Sequence, residues 1–158
     1  MMHVSVDYPD EAAEAEVIKT VRDESRQKDA KKAKGMNLPE ETIFAARAEI
    51  DEITVPDHVL KYMVDFIFVT RYPERIDYEL KSYISCGASP RGSLSLDRTA
   101  RSFAWLKGDK EVSIEHVQGI VKSVLRHRIA ITERGEKHNV KTDELIDDIL
   151  EKLDVPKA

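Results

Sequence analysis

Cys86-Gly87-Ala88-Ser89-Pro90-Arg91-Gly92 is the stretch from which the rest of the chain can be read. Ser89 is a helix-capping residue type, because its short side-chain oxygen can accept a bond from a first-turn N–H. Pro90 suits the first helical position, where no amide donor is needed. A helix is therefore expected from about Pro90 to Leu106, with Leu96, Ala100 and Phe103 facing inward and Gly108 closing it. Arg91 then falls in the first turn, where a cation opposes the helix dipole. On spacing alone it reads either as an ordinary surface arginine or as one that faces an anion, since first-turn amides and a planar guanidinium can together hold a phosphate. Arg98 and Arg101 read either as a basic stripe continuing toward a neighbouring subunit or, more plainly, as a solvated face.

Toward the carboxyl end, Ser113 is expected to cap a helix along which Ile114, Val117, Val121, Val124 and Leu125 share a face, with Arg126-His127-Arg128 complementing its carboxyl end. Thr142 is expected to cap a last helix with the stripe Leu145, Ile149 and Leu153, ended by Pro156. On the other side, Pro73 to Ser82 reads as a short helical piece, and Pro56 opens a helix to about Arg71 whose Val59, Met63, Phe66 and Ile67 form a broad buried face. Before it, Pro39 opens a helix to about Ile50, with Ile43, Ala46 and Ile50 at helical spacing.

At the amino end, Val4, Val6 and Tyr8 alternate with Ser5 and Asp7, the period of a short strand, and Pro9 removes the next backbone donor. A lone strand cannot make a sheet, so it reads as the last strand of a sheet whose other members lie upstream. From Asp10 a helix is expected, acidic at its start, with Ala13, Val17 and Val21 as a narrow stripe, Lys28, Lys31, Lys32 and Lys34 near its end, and Gly35 as its stop. The fold class expected is mainly α: a helical bundle preceded by one short strand and a helix.

Bulk properties narrow the chemistry. At 158 residues, 41% hydrophobic and 35% charged, the chain can bury a core without staples. Its net charge of -5 gives no broad basic surface for a polyanion, which disfavours nucleic acid and a DNA-reading role for the Ser113 to Arg128 helix. Cys86 is the sole cysteine and no apolar run nears the roughly 18 residues of a membrane span, so a cytoplasmic address is expected. Gly87 and Gly92 have the spacing of a phosphate-binding loop, but Ser93 stands where that loop needs lysine, and none of the six glycines is followed by lysine. ATP hydrolysis by this chain alone is therefore not expected. His3, His58, His116, His127 and His138 show no paired ligand spacing, and Cys86 has no thiol partner, so no metal site and no catalytic residue are expected.

Tyr83-Ile84-Ser85-Cys86-Gly87-Ala88-Ser89-Pro90-Arg91 resembles the sensor 2 region of the MoxR family of AAA+ ATPases, in which Gly-Ala-Ser-Pro-Arg is characteristic. Val6-Asp7-Tyr8-Pro9 is similar to the end of that family's ATPase core. Val124 to Ile129 is similar to its lid helix, and Asp148-Ile149-Leu150 to Val155-Pro156 to its carboxyl end. The resemblance implies that residues 1–35 are the end of an ATPase core and 36–158 a helical lid. It implies that Arg91 reaches the ATP phosphates, aimed by Gly87, Ala88, Ser89 and Pro90, and that Tyr8 and Pro9 lie near the adenine. It implies ATP and Mg2+ as ligands of the complete protein, with none held by this region alone. The implied partners are the other subunits of a hexameric ring, with protein clients or von Willebrand factor A domain proteins, and the implied activity is chaperone-like remodelling or maturation of complexes. The alternative is a free-standing helical protein-interaction module that never meets nucleotide.

Overall fold

The computed structural model describes residues 2–26 and 38–156. These fall into two compact units, one of Val4–Ala45 and one of Ala46 onward together with the segment through His3.

In the first unit, residues 4–10 form no strand. An extended segment becomes a strand only when a neighbour takes up its N–H and C=O groups, and Val6 and Tyr8 are instead 87% and 98% exposed. The alternation was real in the sequence, but no ladder partner meets it among the described residues. Helix α1 runs Glu11–Arg26, started by Asp10, whose Oδ1 accepts the Ala13 N–H at 2.8 Å. The stripe expected from Ala13, Val17 and Val21 is not buried: Val17, Ile18 and Val21 are all at least half exposed. Lys28, Lys31, Lys32, Lys34 and Gly35 lie outside the described residues. Helix α2 spans Glu40–Asp51, one residue after Pro39, and carries no buried residue.

The second unit holds the core. Helix α3 (Asp57–Arg71) buries Val59, Met63, Phe66 and Ile67 as its spacing predicts, and adds Tyr62 and Val69. Tyr62 is fully buried, so its hydroxyl needs a partner and takes the Gln118 amide at 3.2 Å; burial raises its pKa. A 3-10 turn at Pro73–Arg75 and a short helix α4 (Tyr78–Tyr83) follow, then strand β1 (Ile84–Cys86) and helix α5 (Pro90–Lys107). Leu96 and Ala100 of α5 are fully buried, while Phe103 is half-buried at the core's edge. Gly108 closes α5 at φ 85°, a left-handed conformation that glycine adopts without strain.

Helix α6 (Ile114–Leu125) buries Val117, Ile120, Val121, Val124 and Leu125. Its cap is reciprocal. Ser113 Oγ accepts the His116 N–H at 3.4 Å, and His116 Nδ1 accepts the Ser113 N–H at 3.0 Å. Nδ1 as acceptor makes Nε2 the protonated nitrogen, and it faces Asp109 Oδ2 at 3.1 Å. His116 is thus a structural histidine, buried edge-on against Phe103. Ser113→Ala is expected to cost about 1 kcal/mol in urea unfolding; an unmoved midpoint would show the cap to be idle.

Strand β2 (Ala130–Ile131), helix α7 (Glu133–Lys137) and helix α8 (Thr142–Lys152) complete the chain. Leu145 and Ile149 of α8 are buried, and Leu153 is half-buried. Its N-cap is Lys141, not Thr142. The Lys141 N–H donates to Glu144 Oε2 at 2.9 Å, so the carboxylate three residues on satisfies the N-cap's own amide, a different donor from the first-turn N–H that a capping threonine would take. Lys122 pairs with Asp147 and Arg126 with Asp143, joining α6 to α8. Arg128 donates to the Val124 carbonyl at 3.0 Å and to Ser95 Oγ at 3.1 Å. Arg126 and Arg128 at the basic end of α6 are thus spent on contacts within this unit, while His127 is exposed.

Asp77 caps α4 through the Glu79 N–H and also pairs with Lys152 of α8. The Lys152 ammonium first, then the Glu79 N–H, hold the Asp77 carboxyl below the ordinary aspartate range. A depressed folded pKa contributes stability that is complete above the unfolded aspartate value and is lost as pH falls through the folded one. Asp77→Asn is therefore expected to flatten the acid limb of the stability curve in that window, an effect that salt weakens; an acid limb like that of the wild type would exclude the pair.

Candidate functional site

The Gly87–Arg91 turn is held from two sides. On one side, β1 pairs antiparallel with β2, Ile84 opposite Ile131 and Cys86 opposite Ala130. Ser85 Oγ reaches the Ala130 and Ile131 carbonyls, and the Thr132 N–H bonds the Tyr83 carbonyl at 2.9 Å. On the other side stands the end of α3. The Ala88 N–H donates to Thr70 Oγ1 at 3.0 Å, and Arg71 Nε donates to the Ala88 carbonyl at 2.7 Å. Gly87 passes so close that a Cβ would lie 2.2 Å from the Thr70 carbonyl oxygen, which leaves room for glycine alone. Ala88 is fully buried, so both its backbone polar groups need these partners.

Beyond this anchorage, Ser89 stands at the N-cap of α5 and Pro90 at its first position, as expected. The Ser89 hydroxyl, however, accepts no capping bond, and the first turn carries no acidic residue. The Gly92 N–H is bonded to the Ser89 carbonyl at 2.7 Å. Arg91 is exposed and has no ion-pair or hydrogen-bond partner among the described residues. The result is an unpaired guanidinium beside the positive end of an 18-residue helix, an arrangement that favours an anion and leaves the cation solvated without one.

The other basic side chains of α5 behave differently. Arg101 is tied to Asp97 at 3.0 Å and to Asp51 at 3.3 Å, so it cannot extend a free basic stripe, whereas Arg98 is exposed. Tyr8 and Pro9 are exposed and belong to the Val4–Ala45 unit. Cys86 is an exposed free thiol. Among the described residues no group of three or more His, Cys, Asp or Glu side chains is placed to hold a metal, and no helix is long and apolar enough to cross a membrane.

Thr70 and Arg71 belong to the site without any sequence signal of their own. Their bonds span 18 and 17 residues, and nothing local marks them. The small residues Gly87 and Ala88 were the available hint, since they signal that something packs close.

Residues 77–149 match the AAA lid domain family. Over 101 residues the chain is 32% identical to the chaperone MoxR1 of Mycobacterium tuberculosis, covering 63% of this chain and 27% of that protein. It is 31% identical over 104 residues to the protein MoxR of Paracoccus denitrificans, covering 62% of this chain and 31% of that one. A candidate ATPase from Cytophaga hutchinsonii has a similar solved structure, with a TM-score of 0.82 at 27% identity, covering 99% of this chain and 47% of that one. The chain thus spans about a quarter to a third of these curated relatives.

Proposed function

We propose that this chain, which is the C-terminal, lid-bearing region of a MoxR-family AAA+ ATPase, couples nucleotide state to lid position through Arg91. Residues 1–35 are read as the end of the ATPase core and residues 36–158 as the lid. ATP and Mg2+ are held by core elements that the described residues do not include. Arg91 reaches across from the lid to the terminal phosphate, with Gly87, Ala88, Ser89 and Pro90 aiming it, while Tyr8 and Pro9 lie beside the adenine. A guanidinium that meets a phosphate present in ATP and absent in ADP binds one state better than the other, and that difference shifts the lid. In a hexameric ring such movement performs chaperone-like remodelling or maturation of protein clients, in the cytoplasm and with von Willebrand factor A domain proteins among the partners.

The observation that carries the reading is the exposed, unpaired Arg91 in the first turn of α5, on a backbone anchored by β2 and α3. The test is Arg91→Ala in the complete ATPase, followed by ATP turnover and by the ratio of ATP to ADP affinity. Both are expected to fall; values equal to wild type would remove Arg91 from the mechanism.

A second reading, a protein-interaction module free of nucleotide, is favoured by the exposed Val17, Ile18, Val21, Ile43 and Phe44. Unchanged nucleotide behaviour on Arg91→Ala would support it.

A further inference from the structure

We infer that Thr70 and Arg71 are positioning residues that set the aim of Arg91, an assignment that rests on the reading of Arg91 as a phosphate contact. The Thr70 hydroxyl is fully buried and works in both directions, donating to the Ile67 carbonyl at 2.7 Å and accepting the Ala88 N–H at 3.0 Å. Arg71 takes the other polar group of the same residue, with Nε 2.7 Å from the Ala88 carbonyl, and its guanidinium lies over the Phe68 ring at 5.3 Å. The last turn of α3 thereby satisfies both backbone groups of Ala88, while the absence of a Cβ on Gly87 lets the two backbones touch.

Arg91 follows three residues later, across a turn closed by the Gly92 N–H and the Ser89 carbonyl. The root of its side chain is therefore referred to α3, a helix whose Tyr62, Phe66 and Ile67 sit fully buried in the core. Loosening Ala88 would leave that core packed and let the head of α5 wander. Catalytic contacts are sensitive to such drift, since a misplacement of about 1 Å can cost roughly 10²-fold.

Thr70→Val keeps the volume of threonine, removes the acceptor and leaves the Ala88 N–H unpaired. In this chain the substitution is expected to speed hydrogen exchange at the Ala88 amide. In the complete ATPase it is expected to slow ATP turnover about tenfold, with ADP affinity unchanged and with rescue by Thr70→Ser. A purely structural role would predict the same loss with or without Arg91. Positioning predicts that Thr70→Val adds nothing once Arg91→Ala is present, and additive losses would overturn the assignment. If Arg91→Ala slows turnover and Thr70→Val does not, the assignment fails and the phosphate reading stands. If Arg91→Ala itself has no effect, the phosphate reading fails and takes the assignment with it. Should Thr70→Val not fold, Arg71→Lys carries the same cycle, because an ammonium cannot reproduce the fixed Nε–H to the Ala88 carbonyl.

Discussion

Gly87→Ala is expected to lower the stability of the lid by about 3 kcal/mol, at the upper end of overpacking effects. The added Cβ would lie 2.2 Å from the Thr70 carbonyl oxygen, 2.4 Å from its carbon and 2.6 Å from the Arg71 nitrogen. All three are backbone atoms at the end of a buried helix, so no side chain can swing away to relieve the contact. The Gly87 turn must retreat instead, and retreat stretches the two bonds that hold Ala88. Thermal unfolding should register a fall in Tm on the order of 10 °C. A Tm matching wild type would mean that the close approach of Gly87 to the end of α3 is absent in solution.

Arg91→Ala carries the largest expected effect on activity. A single preorganised donor removed from a developing negative charge costs about 10²-fold to 10³-fold in rate, and a loss of about 10²-fold in ATP turnover is expected in the complete ATPase. Stability should hardly change, because Arg91 has no partner within the described residues to lose. Arg91→Lys separates charge from shape. Lysine keeps the cation but not the planar fork that engages two phosphate oxygens together, so an intermediate rate is expected. A lysine variant as active as wild type would show that charge alone suffices there.

Most of the bundle was legible because its helices are amphipathic over several turns. Val59, Met63, Phe66 and Ile67 in α3, and Val117, Val121 and Val124 in α6, announce their faces through spacing, and all are buried. The two short strands were not legible. Ile84–Cys86 and Ala130–Ile131 are three and two residues long, and what makes them strands is each other, far apart in sequence. The same cause works in reverse at Val4 to Tyr8, where a strand-like alternation finds no ladder. Helix α7 escaped notice because its five residues are mostly charged and the one it buries is Gly135. Within the site, the position of Arg91 follows from a local rule, serine and then proline at a helix start. Its anchorage does not, because Thr70 and Arg71 act across a gap that no periodicity encodes.

Arg91 as the group that touches the terminal phosphate is tested most directly by a structure of the complete ATPase with a non-hydrolysable ATP analogue and Mg2+. A guanidinium nitrogen of Arg91 is expected about 2.7–2.9 Å from an oxygen of the terminal phosphate, the distance of a charge-assisted bond, with the Thr70 and Arg71 bonds to Ala88 intact. An Arg91 side chain turned to solvent or paired with a carboxylate while that phosphate is bound would contradict that role.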